Sequence, residues 1–186
     1  MPNTLSVREL QEQDISLIAD YWLKSEPEHL VGMGVDLEKL PTREQVTQML
    51  QSQIAAPLNS KQSYCLIWEV DGQVVGHCNV NKIVFGQEAY MHLHLWNGVN
   101  RKRGLGSELV KLSLPYFFEM LQLEMLYCEP YALNPAPNKT LEKVGFTFEK
   151  EYTTVPGAIN FEQPVYRWAM SYEKYKSLAG TGAAQV

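Results

Sequence analysis

The chain has 186 residues, of which 45% are hydrophobic and 20% are charged, and its formal net charge at pH 7 is −5. This length and apolar content predict a single globular domain over residues 1–176, and the small, polar residues of 177–186 predict a disordered tail. The negative net charge argues against a nucleic-acid partner, because general binding to nucleic acids depends on many Lys and Arg side chains that neutralise phosphates.

The sequence predicts neither secretion nor a membrane partner. No apolar run approaches the roughly 20 residues that span a bilayer, and no basic segment followed by an apolar stretch opens the chain. The three cysteines, Cys65, Cys78 and Cys128, lie in apolar runs without C-x-x-C spacing, as expected of reduced thiols. We therefore expect a cytoplasmic protein, either a monomer or a homodimer.

The first part of the chain predicts one strand and two helices. Residues 5–10 alternate apolar and polar side chains like a strand, and residues 14–25 place apolar side chains at helical spacing. Residues 26–41 carry glycines, prolines and mixed charge, which predict an irregular excursion. A second helix over 42–55 begins with a Thr-x-x-Gln capping box.

The middle of the chain predicts an antiparallel meander followed by a helix. Runs of β-forming residues at 63–70 and 73–84 flank an Asp-Gly dipeptide, the pattern of a tight hairpin. Residues 89–96 alternate like a third strand. From Leu105 onward, apolar residues recur at the spacing of a helix that covers a sheet, and Pro115 predicts a kink or an early end there.

The last part predicts a strand over 124–130, a short helix over 137–145 that ends at its glycine, and two strands over 146–154 and 161–172. The predicted order is β-α-α-β-β-β-α-β-α-β-β. The sequence thus predicts an α+β fold, with a mixed, largely antiparallel central sheet of about seven strands and with about four helices.

The stretch N-G-V-N-R-K-R-G-L-G-S-E-L-V at 97–110 joins the third strand of the meander to the next helix. A glycine turn that opens a helix directs free backbone N–H groups and the positive end of the helix dipole at one point, which predicts an anion site. Gly104 and Gly106 allow the backbone to approach the anion closely. Arg101, Lys102 and Arg103 supply positive charge, and the Ser107 hydroxyl can donate a hydrogen bond.

Two common phosphate-binding loops are disfavoured for this stretch. A P-loop needs Lys-Ser or Lys-Thr after its glycines, and neither follows here. The third glycine of a dinucleotide-binding turn would fall at Leu109, and the meander before it is not a βαβ unit. On these residues alone, an ordinary turn with a hydrated basic edge remains equally open.

Two spaced motifs resemble those of one enzyme superfamily. Arg101-Lys102-Arg103-Gly104-Leu105-Gly106 resembles the [Q/R]-x-x-G-x-[G/A] signature of the GNAT superfamily of acetyl-CoA-dependent N-acetyltransferases. N-P-A-P-N-K-T-L-E-K-V-G-F at 134–146 is similar to a stretch in the branch that contains ribosomal-protein N-terminal acetyltransferases. The resemblance implies a GNAT-like fold and an acyltransferase that moves the acetyl group of acetyl-CoA to an amine.

The resemblance also implies which residues contact the co-substrate acetyl-CoA. In the family, the glycine turn holds the coenzyme A pyrophosphate and the strand before it pairs with the pantetheine arm. The implied contacts are Leu95, Trp96 and Asn97 for the pantetheine, Arg101, Lys102, Arg103, Gly104, Leu105, Gly106 and Ser107 for the pyrophosphate, and Asn134, Asn138 and Lys139 from the other side. The alternative for Asn138 and Lys139 is a hydrated helix N-terminus.

The chemistry implied by the resemblance is direct attack of the amine on the thioester in a ternary complex, aided by a base near neutral pKa. Family bases often lie on the strand before the glycine turn. His92 is the first candidate, because an imidazole titrates near neutrality and because it lies further from the turn; His94 is the second. Alternatively, both rings simply pack on the sheet. Glu88 and Glu129 are further carboxylate candidates.

The chain departs from the family pattern at the expected acid. Many relatives carry a Tyr that protonates the leaving thiolate at the position of Leu141, and Pro137 stands where a small residue is usual. Tyr131 is the candidate substitute donor. A catalytically silent acyl-CoA-binding module of the same fold is therefore the alternative function. His92 and His94 could instead bind a metal, but no third ligand is tied to them by a motif, so we expect no metal.

The acceptor is poorly determined by the sequence. Acidic residues within the excursion could attract a cationic amine, and aromatic side chains could line a pocket; an acidic surface over a packed core is the alternative. These residues are Glu26, Glu28, Asp36 and Glu38, and Tyr21, Trp22, Tyr152, Phe161 and Tyr166. A small-molecule primary amine, such as a polyamine or an amine-bearing antibiotic, and a protein N-terminal amine all remain open.

Overall fold

The structure, a computed structural model, describes residues 3–96 and 104–182, with side chains through residue 180. The described residues form seven strands and six α-helices. The strands are β1 (Leu5–Glu9), β2 (Ser63–Val70), β3 (Gln73–Val84), β4 (Glu88–Leu95), β5 (Met125–Cys128), β6 (Thr147–Thr154) and β7 (Gln163–Ser171). The helices are α1 (Ile15–Lys24), α2 (Pro27–Gly32), α3 (Arg43–Ala55), α4 (Leu105–Pro115), α5 (Pro135–Val144) and α6 (Tyr172–Gly182).

The strands form one sheet in the order β1-β2-β3-β4-β5-β7-β6. Every neighbouring pair is antiparallel except β4 and β5, which run parallel. The predicted hairpin is confirmed, with Asp71 and Gly72 at φ angles of 50° and 75° in the turn between β2 and β3. The predicted mixed, largely antiparallel sheet of seven strands is therefore confirmed.

Helices cover both faces of the sheet, and each face has its own hydrophobic core. On one face, α4 and α5 bury residues such as Leu109 and Leu141 against the middle strands. On the other face, α1 and α3 bury residues such as Ile18 and Val46 against β2. The helix predicted after Leu105 ends at Pro115 and continues as a π-helical turn over Tyr116–Met120, because proline has no N–H for the next α-helical hydrogen bond.

The structure contains two helices that the sequence did not predict. Helix α2 lies within the stretch expected to be irregular. Helix α6 extends past residue 177, where we expected the disordered tail to start. Tertiary contacts explain α6, because the Tyr175 ring stacks on Phe118 with centroids 4.8 Å apart and its hydroxyl donates to the Glu119 carboxylate at 2.6 Å. None of the helices within the described ranges combines the length and the apolar character that crossing a bilayer requires.

Candidate active site

The sheet divides between its two parallel strands. β4 and β5 pair only from Glu88 and Met125 to Met91 and Cys128, where β5 ends. β4 continues to Leu95 while pairing with β3 on its other side. Within the described part of the chain, the edge of β4 beyond Met91 therefore faces no strand, and an extended ligand can pair with the backbone along this edge.

Two adjoining spaces lie beside this division. The larger, here called the cleft, has a volume of about 520 Å³ and extends along β4 to the beginning of α4. The smaller, here called the inner cavity, has a volume of about 110 Å³ and lies where β4 and β5 separate. Five residues line both spaces: Met33, Leu93, His94, Asn134 and Pro137. A ligand lying in the cleft can therefore reach the inner cavity past His94.

The N-terminus of α4 forms one end of the cleft. Gly104 precedes the helix in the left-handed conformation, with φ of 71°, which favours glycine. A Cβ on Gly106 would lie 3.4 Å from the Leu95 side chain, so glycine leaves the space between Gly106 and Leu95 open. Gly106 and Ser107 line the cleft, while the Leu105 side chain packs against the core. The first N–H groups of α4 and its dipole thus favour an anion here.

Two lysines add positive charge at the same end. Lys139 and Lys143 are exposed, lie four residues apart on α5 and both line the cleft. The Lys143 ammonium is 3.7 Å from the position that a Cβ on Gly104 would occupy. The sequence reading found Lys139 and missed Lys143, although the spacing of four residues places both on one helix face.

The structure describes only some of the other predicted cofactor contacts. Asn97, Arg101, Lys102 and Arg103 lie outside the described residues. Leu95 and Asn134 line the cleft, whereas the Trp96 indole does not; its N–H donates to His77 Nδ1 at 2.8 Å.

Asn138 is used inside the protein. Its amide nitrogen donates to the carbonyl oxygens of Tyr131 and Asn134 at 3.1 and 2.8 Å. Its amide oxygen accepts from the Trp168 indole at 2.8 Å. Asn138 is buried and does not line the cleft, so we do not retain it as a cofactor contact and assign it to joining α5 to β7.

The structure brings the three predicted catalytic residues, His92, His94 and Tyr131, to the lining of the inner cavity. Protein surrounding the His92 ring lowers its pKa to about 4, with a smaller contribution from the Lys82 ammonium. Burial lowers the pKa of His94 well below its ordinary value, and neighbouring histidines lower it further. The expectation that these rings titrate near neutrality is therefore wrong: both imidazoles are neutral at pH 7 and have one nitrogen able to accept a proton.

Glu129 also lines the inner cavity, whereas Glu88 lines neither space. The Glu129 carboxylate accepts hydrogen bonds from the Tyr152 hydroxyl and from the Arg167 guanidinium, the latter at 3.0 Å. The Arg167 guanidinium also lies 3.9 Å from the centre of the Tyr127 ring. These contacts fix the carboxylate next to the point where the two strands separate.

The side chains expected to determine which amine is the acceptor lie in different parts of the site. Tyr21 and Glu28 line the cleft, and Trp22 lines the inner cavity. Phe161 packs edge-on against Tyr131, at 5.8 Å between ring centres. Glu26, Asp36, Glu38 and Tyr166 line neither space.

Two loops that are distant in sequence meet over the inner cavity and are here called its roof. They are the loop after α2 and the loop between β6 and β7. Val35 and Asn160 form a β-bridge, and the Asn160 and Gln163 amides donate to the Gly34 carbonyl at 2.9 and 2.8 Å. Gly34 has φ of 84°. No sequence signal identified this contact, because it depends on the meeting of loops far apart in the chain.

A model of the acetyltransferase (GNAT) domain family matches residues 4–147. The chain belongs to the GNAT acetyltransferases. The GNAT fold and the acyltransferase class expected from the two motifs are thus confirmed. No curated protein sequence matches the chain significantly. Within residues 3–96 and 104–182, no group of three or more His, Cys, Asp or Glu side chains could hold a metal.

Solved structures of GNAT enzymes have the same fold as this chain. A spermidine N-acetyltransferase from Vibrio cholerae, in complex with CoA and spermine, has a TM-score of 0.75 and 18% identity over 92% of this chain and 98% of its own. A ribosomal L7/L12 α-N-protein acetyltransferase in complex with coenzyme A has a TM-score of 0.75 and 15% identity, covering 92% and 96%. An aminoglycoside acetyltransferase with coenzyme A and kanamycin has a TM-score of 0.71 and 15% identity, covering 94% and 98%.

Proposed function

We propose that this GNAT protein is an N-acetyltransferase in which a primary amine attacks acetyl-CoA directly in a ternary complex. The observation that carries the proposal is the division of the sheet, which connects the anion-binding end of the cleft to the inner cavity. A cofactor with a diphosphate at one end and a thioester at the other fits this arrangement. The matching structures that contain coenzyme A support the same cofactor.

Acetyl-CoA would lie along the cleft with its two ends held by different chemistry. The N-terminus of α4, with Lys139 and Lys143, would hold the pyrophosphate through N–H groups and positive charge. The edge of β4 beyond Met91, which faces no described strand, would pair with the amide groups of the pantetheine arm. The thioester would then lie at the inner cavity, beside His92, His94 and Glu129.

The cysteine chemistry favours direct transfer over a cysteine-bound acetyl intermediate. Cys128 lines the inner cavity and is 3% exposed. Burial raises the pKa of its thiol above the ordinary value, and the nearby Glu129 raises it further. Because the thiolate is the nucleophile, a thiol held protonated is a poor acceptor of the acetyl group.

The remaining groups of the inner cavity suit the proton transfers. The attacking amine nitrogen becomes acidic once it bonds to the carbonyl carbon, so a neutral imidazole on β4 can remove its proton. His92 and His94 are both placed for this step. Of the described residues that line the inner cavity, only Tyr131 bears a hydroxyl, which makes it the candidate donor to the leaving thiolate.

The acceptor class proposed here is a primary amine, on a small molecule or at a protein N-terminus. The matching structures are of N-acetyltransferases for spermidine, for aminoglycosides and for a ribosomal protein. The three free cysteines are buried, which is compatible with the cytoplasmic location predicted from the sequence. The proposal includes both oligomeric states that the sequence predicted, a monomer and a homodimer.

A catalytically silent acyl-CoA-binding module is the second candidate function. Leu141 stands at the position where many relatives have a tyrosine that protonates the leaving thiolate. Its side chain is fully buried in the core. No hydroxyl therefore reaches the cleft from that position. Both candidates predict binding of acetyl-CoA, and only the first predicts turnover.

Two measurements on the full chain test the proposal. Acetyl-CoA should raise the thermal unfolding temperature, because a ligand that binds only the folded state stabilises it. Release of the coenzyme A thiol should then depend on an added amine, tested with a polyamine, an aminoglycoside and a peptide with a free N-terminus. Stabilisation without amine-dependent thiol release would favour the silent module, and no stabilisation by any acyl-CoA would rule out both functions.

A further inference from the structure

The hydroxyl of Tyr21 lies between two imidazole rings. Tyr21 is 6% exposed, and its hydroxyl oxygen is 3.3 Å from His94 Nδ1 and 3.3 Å from His29 Nε2. The sulfur of Met33 is a third neighbour at 3.4 Å. Three elements that are distant in sequence, α1, α2 and β4, thus meet at one hydroxyl group.

This arrangement can pass a proton from one ring to the other. A tyrosine hydroxyl carries one proton and can also accept hydrogen bonds, whereas a neutral imidazole has one donor nitrogen and one acceptor nitrogen. With a ring on each side, one ring can donate to the Tyr21 oxygen while the hydroxyl donates to the other ring. Thioether sulfur is a weak acceptor, so Met33 competes poorly with a ring nitrogen for the hydroxyl proton.

The two imidazole rings at the ends of this hydrogen-bond path lie in different surroundings. His94 lines both the cleft and the inner cavity, whereas His29 lines only the cleft and is half-buried on α2. The other candidate base, His92, bonds through Nε2 to the Asn81 side-chain oxygen at 3.1 Å, and an amide oxygen does not pass a proton onward. A path that leads away from the reaction centre therefore begins at His94.

We propose that Tyr21 and His29 carry the proton of the acceptor amine from His94 to solvent, an inference that rests on the proposed acetyl transfer. The amine N–H bond breaks as His94 Nε2 gains that proton, and Nδ1 gives its own proton to the Tyr21 oxygen. Tyr21 passes its hydroxyl proton to His29 Nε2, and His29 then gives up one proton at the cleft lining. His94 and Tyr21 end neutral, and no group is oxidised or reduced. Tyr21 and His29 act through His94 and are positioning residues.

The electrostatics around His94 explain why such a path is useful. Its pKa is lowered by burial first and then by His77, His92 and His29. His77 on β3 stacks on it with ring centres 4.5 Å apart, and no acidic side chain is among these neighbours. The facing groups of α1 are Tyr21 and Trp22, and α2 adds Glu28 at the cleft lining. A positive charge is therefore disfavoured on His94, and a path that removes the proton keeps this ring neutral.

Tyr21→Phe and His29→Gln test the path, because both keep the shape of the side chain and neither can transmit the proton. Each should lower kcat about tenfold, less than loss of the base itself would, with KM for acetyl-CoA unchanged. His29→Ala should behave similarly, and added imidazole should restore part of its kcat. Tyr116→Phe is the matched control: it removes a hydroxyl that donates to the Val7 carbonyl at 3.1 Å, and kcat should stay unchanged.

The outcomes separate this inference from the proposed function. If the wild type shows amine-dependent thiol release and both Tyr21→Phe and His29→Gln keep its kcat and pH profile, the path is wrong and the transferase stands. Loss of turnover in His92→Ala with no effect of Tyr21→Phe would assign the base to His92 and also overturn the path. If Tyr21→Phe fails to fold, the half-buried His29 variants and the imidazole rescue decide the matter. No wild-type turnover with any amine overturns the proposed function and the path together.

Discussion

At the scale of single residues, two lysines place positive charge at one end of the cleft. Lys139 and Lys143 lie on the same face of α5, opposite the start of α4. A hydrogen bond to a charged group contributes about 1.5–3 kcal/mol, and solvent reduces that value for an exposed ammonium. We therefore expect each lysine to increase the affinity for acetyl-CoA, through its diphosphate, and to leave the rate of the chemical step unchanged.

Lys143→Ala should raise the dissociation constant of acetyl-CoA roughly 3–10-fold, because about 1 kcal/mol of charge-assisted bonding is lost. The effect should shrink as salt is added, and kcat at saturating cofactor should stay the same. Lys111→Ala is the control, because Lys111 lies on α4, pairs with Glu108 at 3.0 Å and does not line the cleft. Equal affinities of the two variants in a calorimetric titration would contradict this placement of the pyrophosphate.

At the scale of elements, the roof of the inner cavity depends on one glycine. A Cβ on Gly34 would overlap the Gln163 side-chain amide, which holds the two loops together. Gly34→Ala should therefore destabilise the fold by roughly 2–4 kcal/mol, through its positive φ and through this overlap. It should also raise KM for the amine more than KM for acetyl-CoA, because Val35, Asn160 and Gln163 of the joined loops line the inner cavity and not the cleft.

Gly72→Ala provides a matched comparison for the effect of backbone conformation. Gly72 has a similar φ of 75°, and nothing lies within 4 Å of the Cβ position there. Its substitution should cost only the strain of the left-handed conformation, about 1–2 kcal/mol. Urea unfolding of both variants measures the difference. If the two midpoints fall equally, the contact between Gly34 and Gln163 contributes nothing beyond backbone conformation.

The elements that the sequence predicted are those with local physical causes. The hairpin at Asp71 and Gly72, the end of α4 at Pro115 and the cap of α5 at Gly145 each follow from the backbone preference of a residue or dipeptide. Helix α6 was missed because its stability comes from packing against the π-helical turn. The start of α4 beside the cleft was predicted for the same local reason, since the glycines and the helix start are adjacent in sequence.

At the scale of the whole molecule, the catalytic end of the site could not be predicted in the same way. The inner cavity combines the β4 histidines with Glu129, which directly follows β5, and with loops near Gly34 and Gln163. The Tyr21 hydroxyl reaches His94 over 73 positions of sequence. Contacts at such separations depend on strand order and on helix placement, so the sequence supplied candidates and only the fold brought them together.

The fold also holds three of the four histidines neutral, which makes stability depend on pH. Burial lowers the pKa of His77 to about 3 and of His92 to about 4, and it lowers that of His94 well below the ordinary value of 6.5. The unfolded chain therefore binds more protons than the folded chain as pH falls below 6.5. Their stabilisation is fully present above that pH and is lost progressively toward about pH 4 for His92 and about pH 3 for His77.

Between about pH 6.5 and pH 5, each such histidine should remove about 1.4 kcal/mol of unfolding free energy per pH unit, because most carboxylates remain ionised in both states. Three together should remove about 4 kcal/mol per unit, a large part of the stability of a typical domain. Urea unfolding at several pH values measures this slope. His77→Gln, whose side-chain oxygen can still accept from the Trp96 indole, should reduce the slope by about a third at unchanged m-value. An unchanged slope would mean that His77 titrates equally in the folded and unfolded chains.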